Sequence, residues 1–70
     1  MSIFVIQSNI PNRIDGTLQN YAMKIAHGVY ATCANTMVID GIVNFLTGNK
    51  LKFKIVKKSK HGIIPEIEVF

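Results

Sequence analysis

This 70-residue chain has one cysteine, no tryptophan and four acidic residues. With Cys33 alone, no disulfide can close within it, and no Cys/His group has the spacing of a zinc site. No apolar run approaches the ~18 residues of a membrane span, so no membrane partner is expected. No basic residue precedes the apolar run at 3–6, which therefore reads as a strand and not as a signal peptide. A lone cysteine without an export signal suggests the cytoplasm. The acids Asp15, Asp40, Glu66 and Glu68 fall on different expected elements, whereas two-metal hydrolysis needs clustered carboxylates. Neither His27 nor His61 has a cysteine or serine at a spacing that suggests nucleophilic catalysis. No catalytic residue, metal or cofactor is expected from these patterns.

What is present is apolar residue, 49% of the chain, enough for a genuine core. The length allows one domain, residues 1–70. A domain of this size buries only about 60–65% of its unfolded surface, so its stability margin is thin. With no disulfide or metal to help, a partner subunit is the expected extra source of stability. The net charge is +4, and six of the eight basic residues lie between positions 50 and 60, a stretch without acids. That asymmetry points to a polyanionic partner, nucleic acid ahead of a membrane surface.

Residues 2–8 are β-branched and aromatic and predict a buried first strand. Asn9-Ile10-Pro11-Asn12 breaks it, and Asn12 is the expected N-cap of a helix. Ile14, Leu18, Tyr21, Ala22 and Ile25 make one helical stripe, with Asp15, Gln19 and Lys24 opposite and Gly28 as a left-handed C-cap. The stretch 29–33 predicts a second strand, parallel to the first through a right-handed crossover. Asn35 or Thr36 caps a second helix with the stripe Val38, Ile39, Ile42, Phe45 and Leu46, which 47–49 stops. The remainder predicts a hairpin turning at 59–62, with Pro65 at an edge or strand start. Pairing Phe53 with Val69, Ile55 with Ile67 and Lys54 with Glu68 keeps its apolar side chains on one face. The expected order is βαβαββ, an α+β sheet with two helices on one face.

Lys52 and Lys54 can pair with Glu66 and Glu68 across that hairpin, and edge lysines also discourage aggregation. Lys57, Lys58 and Lys60 have no acid nearby in sequence and are candidates for phosphate contact. Arg13 opens the first helix against the helix dipole, which fits either a phosphate contact or a solvated surface arginine. His27 reads as a cation near a helix C-terminus, His61 as a turn residue and Cys33 as a small core residue.

The segment 9–18, Asn-Ile-Pro-Asn-Arg-Ile-Asp-Gly-Thr-Leu, followed by Gly28-Val29-Tyr30, resembles the type I-E branch of the CRISPR-associated Cas-two proteins. Those have a hydrophobic first strand, an N-x-P-x-R-x-x-G-x-L helix start and a G-V-Y opening the next strand, and the spacing between the two motifs agrees here. The resemblance implies a ferredoxin-like domain that dimerises, bridges integrase dimers and holds the backbone of double-stranded DNA with its arginines. Arg13 matches one such position. Ser8 stands where relatives carry an acidic residue proposed as a metal ligand, and a hydroxyl cannot replace a carboxylate on Mg²⁺. Asp15 stands at a second basic position of the family. Relatives continue beyond the position of Phe70 with a segment that contributes to the integrase contact, so a short or repurposed member is implied.

The expectation is a non-catalytic adaptor that binds nucleic acid through Arg13, Lys57, Lys58 and Lys60 as a homodimer, with CRISPR integrase subunits as further partners. Two alternatives accompany it. One is a decoy or inhibitor, host or viral, that occupies a CRISPR protein with the same fold. The other is a Mg²⁺-dependent nuclease of the parent family, against which Ser8 argues.

Overall fold

The apolar run at the start forms strand β1 (Ser2–Ile6), in which every second side chain, Ser2, Phe4 and Ile6, is buried. The computed structural model describes residues 1–57 and 66–70. After β1 come α1 (Asn12–Leu18), β2 (Met23–Ala26), β3 (Val29–Thr32), α2 (Thr36–Gly48), β4 (Phe53–Lys57) and β5 (Glu66–Val69). The strands form one antiparallel sheet in the order β2-β3-β1-β4-β5, with β1 at the centre. Phe4, Ile6, Tyr30, Phe53 and Ile55 on one sheet face join Ile14 and Leu18 of α1 and Ile42 and Leu46 of α2 in a single core. The α+β class is as expected.

The expected order βαβαββ is not, because residues 23–26 form a strand in place of the second half of the first helix. Helix α1 ends at Leu18 after burying only Ile14 and Leu18. Gly16 lies inside it and costs about 1 kcal/mol relative to alanine, so little intrinsic propensity sustains it. Tyr21, Ala22 and Ile25 fit a helical stripe by spacing, but Tyr21 and Ile25 are exposed. The chain instead forms a hairpin in which β2 gives β3 a second hydrogen-bonded neighbour. Its turn is His27-Gly28, with Gly28 at φ 78°. Gly28 thus has the left-handed conformation expected of a C-cap but uses it in a hairpin turn. A Cβ there would lie 3.2 Å from the Ile6 carbonyl oxygen, so a side chain would also be crowded against β1. His27 accordingly belongs to this turn and not to a helix end.

β3 runs antiparallel to β1, with Phe4 opposite Tyr30, so the parallel crossover expected between them is absent. The N-cap of α1 is Pro11 without a side-chain cap, not Asn12. Cys33 lies beyond the end of β3 and is exposed, not a core residue.

The hairpin pairs β4 with β5 one residue away from the expected register. Lys54 lies opposite Val69, Ile55 opposite Glu68 and Val56 opposite Ile67. The Phe53 carbonyl accepts the Phe70 N–H at 2.8 Å, and the two rings stack with centroids 4.7 Å apart and planes 4° apart. That aromatic pair takes the position assigned to Phe53 and Val69. A one-residue slip reverses the face of every side chain on a strand, so Ile67 and Val69 face away from the core. The turn expected at 59–62 and Pro65 lie outside the described residues.

Helix α2 follows the sequence closely. Asn35 Oδ1 accepts the Val38 N–H at 3.0 Å, a side-chain N-cap. Ile42 and Leu46 are buried, and Val38, Ile39, Val43 and Phe45 pack against the core. At the other end, the Lys50 N–H donates to the Thr47 carbonyl at 3.0 Å and the Leu51 N–H to the Leu46 carbonyl at 3.2 Å. These two bonds are those of a Schellman motif, which places a left-handed residue just after the C-cap. Here that residue is Lys50, at φ 59°. A non-glycine residue pays roughly 1–2 kcal/mol in that conformation, partly offset by the greater freedom glycine loses on folding. Lys50→Gly is therefore expected to stabilise the fold by about 0.5–1 kcal/mol. In chemical denaturation the midpoint should rise at unchanged slope.

Candidate nucleic-acid interface

Arg13 is the second residue of α1 and is exposed. It follows the connection that leaves the C-terminal end of β1. Because β4 is antiparallel to β1, Ile6 lies opposite Phe53 and the start of β4 is at this same end. The Ser8 hydroxyl accepts the Lys52 N–H at 3.0 Å, and the Lys52 carbonyl accepts the Gln7 N–H at 2.8 Å. Ser8 therefore holds the exit of β1 to the entry of β4. Lys50 and Lys52 are exposed and join Arg13 at this end of the sheet. Among the described residues, neither they nor Arg13 form an ion pair. Lys52 was expected to pair across the hairpin. Phe53 opposes Phe70, and Glu68 and Glu66 lie opposite Ile55 and Lys57, so neither acid is across from Lys52.

Lys57 ends β4 at the opposite end of the sheet, across from Ser2. Four residue steps of strand, about 13 Å, separate it from Phe53. Its ammonium lies 3.6 Å from Glu68 Oε1, so the acid that its sequence neighbourhood lacks comes from β5. The expected Lys54–Glu68 pair is replaced by this one through the register slip. Arg13 and Lys57 thus do not share one site. Lys58, Lys60 and His61 lie outside the described residues.

Asp15, at a second basic position of the family it resembles, is engaged locally. The Tyr30 hydroxyl donates to Asp15 Oδ1, Gln19 Nε2 donates to Oδ2 at 3.0 Å, and the Lys24 ammonium lies 3.1 Å from Oδ1. Tyr30 is only 1% exposed, and this bond satisfies the one polar atom of its side chain. The network ties α1 to β2 and β3. The Tyr30 hydroxyl bond first, and Lys24 after it, hold the Asp15 carboxyl below its ordinary value of 3.8. Burial, followed by the same bond to Asp15, pushes the Tyr30 hydroxyl well above the usual tyrosine value.

The second surface of note is the sheet face away from the helices. Directly opposed residues of neighbouring strands share a face. Met23, Ala31, Ile3, Val56 and Ile67 are opposed in turn, one from each strand, and make an apolar row across the whole sheet. Beside it runs Ala26, Val29, Val5, Lys54 and Val69. Met23 is 74%, Val69 67% and Ile67 59% exposed. The sequence placed Ile67 and Val69 in the core; the overlooked signal is Phe70, which extends the alternation of β5 to an aromatic partner for Phe53. An apolar cleft of about 310 Å³ also lies between the helices, with Tyr21, Val38 and Phe45 on its walls.

Among the described residues, no three His, Cys, Asp or Glu side chains gather as a metal site, and no helix is long and apolar enough to cross a membrane. No protein-family model matches this sequence, and no curated protein matches it.

The Asp15 network has a pH signature. A carboxyl that is more acidic folded than unfolded stabilises the fold above its unfolded value and loses that contribution as pH falls through the folded value. Asp15→Asn should therefore lower the denaturation midpoint at pH 7. Its deficit relative to the parent chain should shrink as pH falls below about 3.9 and disappear in stronger acid. A deficit of equal size across that range would contradict the assignment.

Proposed function

We propose that this chain is a non-catalytic adaptor that binds the phosphate backbone of double-stranded DNA and acts as a homodimer, as its resemblance to type I-E Cas-two proteins implies. The observation that carries this reading is the agreement of motif with element. The Pro11-Asn12-Arg13 segment starts α1, and Gly28-Val29-Tyr30 turns into and opens β3. The elements from β1 to β4 follow βαββαβ with strand order β4-β1-β3-β2. We read them as a ferredoxin-like unit to which β5 adds an edge strand. Ser8 is engaged with the Lys52 backbone and offers no carboxylate, which favours an adaptor over a Mg²⁺-dependent nuclease.

On this reading Arg13, Lys50 and Lys52 contact phosphate at one end of the sheet. Lys57 contributes less because Glu68 already offsets its charge. Lys58 and Lys60, outside the described residues, add two further cations. CRISPR integrase subunits are the further partners the resemblance implies, and bridging them requires two-fold symmetry.

Fluorescence anisotropy with a duplex tests this. Each phosphate contact contributes about −0.9 to the slope of log K against log salt. Arg13→Ala is expected to weaken binding to all sequences alike and to reduce the slope by about one unit per chain, since backbone contacts carry no base information. Lys57→Ala should change it less. No cleavage is expected with Mg²⁺ or Mn²⁺. Weak binding at ~0.15 M salt, where exposed charges are screened beyond about 8 Å, and indifferent to Arg13→Ala would favour the decoy over the adaptor.

A further inference from the structure

We infer that the cleft between α1 and α2 is a binding site for a small amphiphilic anion, an aromatic body held between the helices with its carboxylate at the Arg13 end. The cleft has a volume of about 310 Å³ and is walled by Tyr21, Val38 and Phe45, with Thr17 on the α1 side and Gly41 on the α2 side. Both helices pack on the sheet, but they do not close on each other. Gly41 lies in the interior of α2, where glycine is less stable than alanine. A Cβ added there would meet nothing within 4 Å, and the backbone at Gly41 is not left-handed. Neither packing nor conformation in the described residues calls for glycine. What the missing side chain does is keep the cleft open along α2.

Size and charge select the occupant. A helix with its side chains is about 10–12 Å across, too wide for a cavity of this volume. Pockets of roughly 300–1,000 Å³ are those that small ligands fill. Tyr21 and Phe45 offer ring faces and edges to a flat aromatic body. No charged residue lines the cleft. The charge lies beyond one end of it. α1 leads from the C-terminal end of β1 back to β2, which starts beside the beginning of β1. α2 runs the other way, from Thr32 opposite Ser2 to Phe53 opposite Ile6. The helices are therefore antiparallel, and the first turn of α1 shares an end of the sheet with the last turn of α2. Arg13 stands one turn before Thr17 on the same row of α1, and the Thr17 hydroxyl donates to the Arg13 carbonyl at 2.9 Å. Lys50 follows α2 at the same end. Both are exposed, and neither forms an ion pair among the described residues. A ligand seated against Gly41 and Phe45 thus has cations beyond its Arg13 end, and a single carboxylate there meets them with a charge-assisted contact.

Titration of the full chain with 2-naphthoate, followed through its backbone amide NMR shifts, is the test. It contains no DNA, so it can fail or succeed apart from the adaptor reading. At the efficiency usual for small ligands, saturable binding with a dissociation constant of about 1 mM or tighter is expected. The shifts should centre on Thr17, Tyr21, Gly41 and Phe45. Gly41→Leu puts a side chain into the cleft at a position where a Cβ has room and leucine is a better helix former. It should leave the circular dichroism spectrum unchanged and weaken binding by about tenfold or more. Arg13→Ala should weaken 2-naphthoate by about threefold and leave the weaker binding of its neutral analogue, 2-naphthamide, unchanged. Met23→Ser, on the far side of the sheet from the helices, should alter neither. Shifts that never saturate, an affinity unchanged by Gly41→Leu, or equal affinities for the naphthoate and the naphthamide would overturn the inference.

Discussion

Everything in this domain is arranged around a central strand that is apolar on both sides. β1 has β3 and β4 as its two hydrogen-bonded neighbours, so its backbone is fully paired. Its even positions, Ser2, Phe4 and Ile6, are buried and receive both helices. Phe4 and Phe53 then bring β4 into the same core with ring centroids 6.3 Å apart. The odd positions, Ile3 and Val5, are part of the same strand and cannot be made polar by any choice of helix. The inner face explains why the chain folds. The outer face leaves an apolar surface that the two helices do not cover.

The parts of this architecture that were legible in the sequence are those with one consistent period. β1, β3 and α2 have it, and so does the Asn35 cap, whose side-chain oxygen fits only a helix start at Thr36. The segment at 21–26 does not. Tyr21, Ala22 and Ile25 satisfy a helical spacing, while Met23 to Ala26 forms an edge strand with every residue exposed. An edge strand buries little, so it leaves little alternation to detect. The hairpin failed differently: aliphatic matching favoured Ile55 with Ile67, whereas the observed register sets Ile55 opposite Glu68 and Lys54 opposite Val69 and matches Val56 with Ile67. The stacked Phe53–Phe70 pair and its backbone hydrogen bond decide the register. Aromatic stacking adds about 0.5–1.5 kcal/mol beyond burial, enough to choose between otherwise similar pairings.

The candidate site was legible in kind but not in layout. Clustering of lysines in sequence suggested one basic patch, but a strand carries successive lysines from one end of a sheet to the other. Lys52 and Lys57, five positions apart, consequently belong to opposite ends. Folding also redistributes the acids. Asp15 is taken up by Tyr30, Gln19 and Lys24, and Glu68 by Lys57. Arg13 is joined by Lys50 and Lys52, which linear reading had assigned to the hairpin or passed over. The left-handed backbone at Lys50 has a consequence here as well. A glycine would be cheaper at that position, so the lysine trades local backbone stability for a cation at this end of the sheet.

On the proposed reading, dimerisation and DNA binding would reinforce each other. Three or so phosphate contacts per chain would support only modest, salt-sensitive binding. When both copies hold one duplex, each chain's second contact becomes intramolecular, and its effective concentration is set by the dimer geometry. DNA then strengthens the dimer by the same factor by which dimerisation strengthens DNA binding, because the coupling free energy is shared. The charge that opposes bringing two +4 chains together would then be offset by phosphates that both of them contact.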